Sequence, residues 1–165
     1  MKLVLAFLIF NISNATANET FQAVLSKMYP DCKLKKEILF LTSAQLKQIK
    51  GLSKSSVKSK LANRFKTCSG SYVYVDSHIV RTLNQTVVAE VTSDNKVKMF
   101  TVSAFLEPKE YKAPKKWLGQ LLNKKLPELE LNTKIDGLSG ATLTDKANVG
   151  AAKKILAMHQ VLSGE

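Results

Sequence analysis

Between Ile135 and Thr144 the chain reads Ile-Asp-Gly-Leu-Ser-Gly-Ala-Thr-Leu-Thr. Hydroxyls at Ser139, Thr142 and Thr144 follow the carboxylate of Asp136, while Gly137, Gly140 and Ala141 keep bulk off the backbone. A small-residue loop running into a helix leaves backbone N–H groups unpaired at the positive end of the helix dipole, a setting that suits a phosphate. An ordinary capped loop has the same composition, so the residues alone leave both readings open.

The run Asp136-Gly137-Leu138-Ser139-Gly140-Ala141-Thr142 resembles the flavinylation motif of the FMN-binding domain family: Asp, two variable residues, Ser or Thr, Gly, Ala, Thr. That family includes the C subunit of the sodium-pumping NADH:quinone oxidoreductase, the G subunit of the Rnf complex and small exported stand-alone proteins. Val73 to Arg81, Phe105 to Tyr111 and Trp117-Leu118 are similar to segments of the stand-alone branch, and the likeness spans roughly residues 70–160. Where the membrane-complex subunits carry Thr-Pro-Gly after a glutamate, this chain has Glu107-Pro108.

The resemblance implies a phosphoester between Thr142 and FMN, installed from FAD by a Mg²⁺-dependent flavin transferase. Ser139, Gly140, Ala141, Leu143 and Thr144 would surround the phosphate, with Glu107 on the flavin side. Asp136 would serve the transfer step by holding the transferase's Mg²⁺ or the threonine hydroxyl, or else form the turn before Gly137. Tyr111 and Trp117 offer flat surfaces on which the ring could stack, or pack in the core. No catalytic residue and no resident metal are expected. Two histidines without clustered cysteines or carboxylates make a poor metal set, and neither a Gly-x-Ser-x-Gly elbow nor a Gly-x-Gly-x-x-Gly loop is present.

The elements that must position this loop follow from periodicity. Phe21, Val24, Leu25 and Met28 predict a first helix ending before Pro30, and Glu37 to Leu41 a strand. Thr42 and Gln45 form a capping-box pattern for a second helix, with Leu46, Ile49 and Leu52 inside, stopping near Gly51. The lysine- and serine-rich stretch from Lys47 to Lys66 reads as a solvated connection or a binding face. Three strands follow, Ser71 to Asp76, Thr86 to Thr92 and Lys96 to Ser103, the last two joined through Asp94-Asn95. Pro114 to Asn123 predicts a short helix with Trp117, Leu118, Leu121 and Leu122 at helical spacing. Thr144 to Leu162 predicts the final one, capped by Thr144 and buried along Val149, Ala152, Ile155, Leu156 and His159. This order gives an α+β fold, an antiparallel meander flanked by helices in a single domain.

Lys2, the apolar run Leu3 to Phe10 and Ala15-Thr16-Ala17 make residues 1–17 a signal peptide, with a mature start near Asn18 and a periplasmic or secreted product. The apolar run is shorter than the roughly 20 residues a spanning helix needs, so the mature protein is not expected to cross a membrane. In that compartment Cys32 and Cys68 form a bridge or remain two buried thiols. The net charge of +12 points to an acidic partner or to a basic solvated surface. The combined expectation is an exported FMN electron carrier that docks an acidic redox protein, such as a cytochrome or a membrane quinone-reducing complex. The alternatives are a flavin reductase subunit acting on a small organic acceptor, and a flavin-free module that binds acidic surfaces. Nucleic acid is not an expected partner, because no recognition motif is present.

Overall fold

The computed structural model of the protein describes residues 20–57 and 59–164. The expected signal peptide lies outside the described residues. Helix α1 (Phe21–Met28) is capped by Thr20, whose hydroxyl accepts the Ala23 N–H at 3.3 Å. Strand β1 (Lys35–Phe40) leads into α2 (Ser43–Ser53), and the capping box of Thr42 and Gln45 is formed in both directions. The helix runs past Gly51, the expected stop, and ends at Lys54 in the left-handed conformation. Gly51 is helical here; its missing side chain lowers helix propensity but does not by itself end a helix.

Strands β2 (Leu61–Lys66), β3 (Tyr72–Ile79), β4 (Asn84–Val91) and β5 (Val97–Phe105) complete a five-stranded antiparallel meander in sequence order. The fold is therefore α+β, as the periodicities predict. β2 lies in the stretch expected to be a connection. The β4–β5 turn at Asp94-Asn95 is present, with Asn95 at φ 57° and the Thr92 N–H donating to Lys96 O. The predicted helix from Pro114 to Asn123 is only α3 (Lys115–Leu118), continued by a 3₁₀ turn through Leu121.

The last helix, α4 (Thr142–Ser163), has 22 residues, about 33 Å of rise. It packs on the inner face of the sheet with α2. Val149, Ala152, Ile155, Leu156 and His159 are all buried, and His159 Nδ1 lies 3.0 Å from the Tyr74 hydroxyl. The outer face carries α1, whose Val24 and Leu25 cover Val73 and Val88. Cys32 and Cys68 are disulfide-bonded, which ties the chain after α1 to the β2–β3 turn. Among the described residues no helix is long and apolar enough to cross a membrane.

Candidate functional site

Three backbone anchors shape the loop that enters α4. Trp117 Nε1 donates to Asp136 O at 2.8 Å, and the Asp136 N–H donates to Gln120 Oε1 at 2.9 Å, so α3 and its 3₁₀ extension hold both backbone polar groups of one residue. One turn into α4, Asp145 Oδ2 accepts the Leu138 N–H at 3.0 Å. A Cβ on Gly137 would press on Asn132 Oδ1 at 3.1 Å and meet Asp145 Oδ2 at an ordinary 3.6 Å, so glycine leaves room for the Asn132 side chain. Gly140 then takes φ 75°, a conformation that side chains disfavour, with open space where a Cβ would stand.

The helix begins two residues earlier than Thr144 suggested. Ala141 is the N-cap and offers no side-chain cap, Thr142 is the first helical residue, and Thr144 is 1% exposed. Asp145, from inside the helix, ties down the loop that precedes it and leaves the first-turn N–H groups without a side-chain cap. Thr142 and Leu143 are exposed, and among the described residues neither backbone N–H has an acceptor. The Thr142 hydroxyl likewise has no partner among them. One exposed hydroxyl thus stands beside two unsatisfied donors at the positive end of a 22-residue helix. A phosphate monoester or diester on Thr142 fits that donor set.

Of the other expected residues, Trp117, Tyr111 and Glu107 have side-chain partners within the protein. Asp136 is held by its backbone while its side chain is exposed and takes no hydrogen bond from a described residue. Trp117 is buried in the main core, so its packing role is realised. Tyr111 is half-buried beneath the Arg81 guanidinium, 4.9 Å from the ring centroid. Glu107 is buried, and its Oε1 accepts the N–H groups of Arg81, Thr82 and Leu83 at 3.1, 2.7 and 2.8 Å. Those donors, Leu83 foremost, hold its carboxyl below the usual range. Glu107 therefore organises the β3–β4 turn, and that turn carries the arginine over Tyr111.

No family model, curated protein or solved structure matches the chain.

A cleft of about 460 Å³ opens further along α4, where β2 and β3 splay apart after pairing only at Arg64–Lys66. Lys154, Asp76 and His78 form its polar wall, with Lys154 Nζ at 2.6 Å and His78 Nδ1 at 2.9 Å from the Asp76 carboxylate. Burial pushes the Asp76 carboxyl up, but the His78 hydrogen bond and the Lys154 ammonium outweigh it and hold it below its ordinary value. Lys154 is 12 residues beyond Thr142, about 18 Å along the helix, and Thr142 is not among the residues that line the cleft. Sequence reasoning did not find Gln120, Asp145 or Arg81 as shapers of the site.

Proposed function

We propose that the protein is an exported flavoprotein carrying FMN in phosphoester linkage to Thr142 and serving extracytoplasmic electron transfer. The observation that carries this reading is the exposed Thr142 hydroxyl beside the two acceptor-free N–H groups of Thr142 and Leu143. It stands with the match of Asp136, Ser139, Gly140, Ala141 and Thr142 to the flavinylation motif. When bound, FMN would supply one- or two-electron redox chemistry.

The chain's own residues would then do three things. The helix start neutralises phosphate charge without a metal. Gly140 gives a transferase access to the hydroxyl, since nothing lies within 4 Å of where its Cβ would be. Asp136, held by its backbone with its carboxylate outward, is available to the Mg²⁺ of that transferase. The surplus of cations suits an acidic redox partner, with an association that weakens as salt rises. The separation of the 460 Å³ cleft from Thr142 favours a carrier over a reductase that turns over its own small substrate.

Intact-mass measurement after co-expression with a flavin transferase tests the proposal. Wild type gains the mass of one FMN ester, and Thr142→Ala gains none. An unmodified wild type, or a modified Thr142→Ala, overturns it.

A further inference from the structure

The meander brings the ends of β1, β3 and β5 and the starts of β2 and β4 to one end of the sheet. Large apolar side chains stand in solvent along that rim: Phe40 at 78% exposure, Ile79 at 56%, and Leu61, Leu83 and Leu106 near half. Phe40 lies opposite Leu61 in register, and the Leu106 N–H bonds to Asn84 O at the start of β4. Ile38, 54% exposed, shares the outer face of β1 with Phe40. They are bare because α1 has eight residues and reaches only the part of the outer face around Val73 and Val88.

Cations flank the exposed apolar residues of the rim. Lys60 immediately precedes Leu61, and Arg81 follows Ile79 by two residues. By strand alternation, no carboxylate among the described residues projects from the outer face of β1, β2 or β3. Asp76 is bound to Lys154 on the inner face, and Glu107 is buried in its turn.

We propose that this end of the sheet docks on an anionic phospholipid surface. Phe40, Ile79 and their neighbours enter the boundary between headgroups and acyl chains, while Lys60 and Arg81 meet the phosphates. Apolar groups interspersed with cations form an interfacial anchor, and the net charge of +12 adds long-range attraction to it. α4 crosses the inner face from this end. Its Asn148 contacts Gln85 at the start of β4, while His159 reaches Tyr74 further up the sheet. Docking therefore brings the Thr142 end of α4 towards the membrane surface. The proposal stands on the rim alone and holds whether or not Thr142 carries a flavin.

Co-sedimentation of the purified protein with phosphatidylcholine vesicles, with and without phosphatidylglycerol, tests it. Wild type binds the phosphatidylglycerol vesicles and leaves the neutral ones. Phe40→Ser combined with Ile79→Ser lowers partitioning about tenfold or more, as does Lys60→Glu combined with Arg81→Glu. Leu122→Ser, an exposed leucine beside the start of β5, binds as wild type does. As a second measurement, Phe40→Trp shows a blue shift of its emission on adding anionic vesicles, against the background of buried Trp117. Absence of wild-type binding, double variants that bind undiminished, or an unshifted Phe40→Trp emission overturns the proposal. So does a dimer that Phe40→Ser dissociates, because a second copy would then cover the rim.

Discussion

Asp145 Oδ2 accepts the backbone N–H of Leu138 at 3.0 Å, closing the loop over the first turn of α4 from within the helix. The other carboxylate oxygen is buried without a hydrogen-bond partner among the described residues. The bond fixes the path through Ser139 and Gly140 that leaves Thr142 outward.

Asp145→Ala removes the acceptor and leaves the Leu138 N–H unpaired, which costs about 1–3 kcal/mol. Asp145→Asn keeps an oxygen acceptor and loses less. Thermal or denaturant melts of the two variants check the order. If Thr142 is the flavin attachment residue, loading by the transferase falls in Asp145→Ala and recovers in Asp145→Asn. A purely stabilising contact would lower the melt without changing the loaded fraction of the folded protein.

Glu107 links acidity to the β3–β4 turn. Its folded-state carboxyl is held below its ordinary value of 4.5 by the N–H groups of Leu83, Thr82 and Arg81. Its contribution to stability is therefore complete above that value and is lost as pH falls through the lower, folded-state one. Glu107→Gln should be less stable than wild type at neutral pH, with the gap narrowing below about pH 4.5. Urea melts across that range read it. A gap that stays constant with pH contradicts the assignment.

The Cys32–Cys68 bridge closes a loop of sequence separation 36. Loop-closure entropy for that length gives about 4 kcal/mol of stabilisation. Cys32→Ser combined with Cys68→Ser should lose much of this, and reduced wild type should melt close to the double variant. Equal midpoints for oxidised wild type and the double variant would contradict the estimate.

The meander, the α2 capping box and the buried stripe of α4 were legible because each follows a period or a local pattern. β2 was not. Its residues are Leu-Ala-Asn-Arg-Phe-Lys, and only Ala62 is buried. Arg64 occupies an inward position through its 2.8 Å ion pair with Glu37 and its place 4.0 Å over the Tyr72 ring, so a cation sits where an apolar residue would signal a strand. The start of α4 was misplaced because Asp145 reaches back seven residues to Leu138, a contact without sequence period. The order of residues around Thr142 was visible, but the grip on Asp136 was not. Trp117 and Gln120 act on its backbone across 19 and 16 residues, and backbone contacts constrain no side-chain pattern.

Glu90 on β4 is 3% exposed, yet it receives the Tyr29 hydroxyl at 2.6 Å, the Lys98 ammonium at 2.8 Å and the Ser71 hydroxyl. Burial pushes its carboxyl up, and these three donors outweigh that and hold it low. Burial, and after it the Glu90 carboxylate, raises the Tyr29 hydroxyl well above its ordinary range, so Tyr29 remains a donor throughout ordinary pH. Tyr29→Phe removes one donor from a buried carboxylate and should cost about 1.5–3 kcal/mol. The denaturant midpoint should fall while the m-value holds, because the fold and its exposed surface on unfolding are unchanged. Tyr29 follows α1 directly, so amide exchange should quicken in α1 before it does in β4. In a double-mutant cycle with Glu90→Gln the two losses should sum to more than the loss of the double variant. Strict additivity would show that the tyrosine anchors α1 by packing on Glu90's neighbours instead of by this bond.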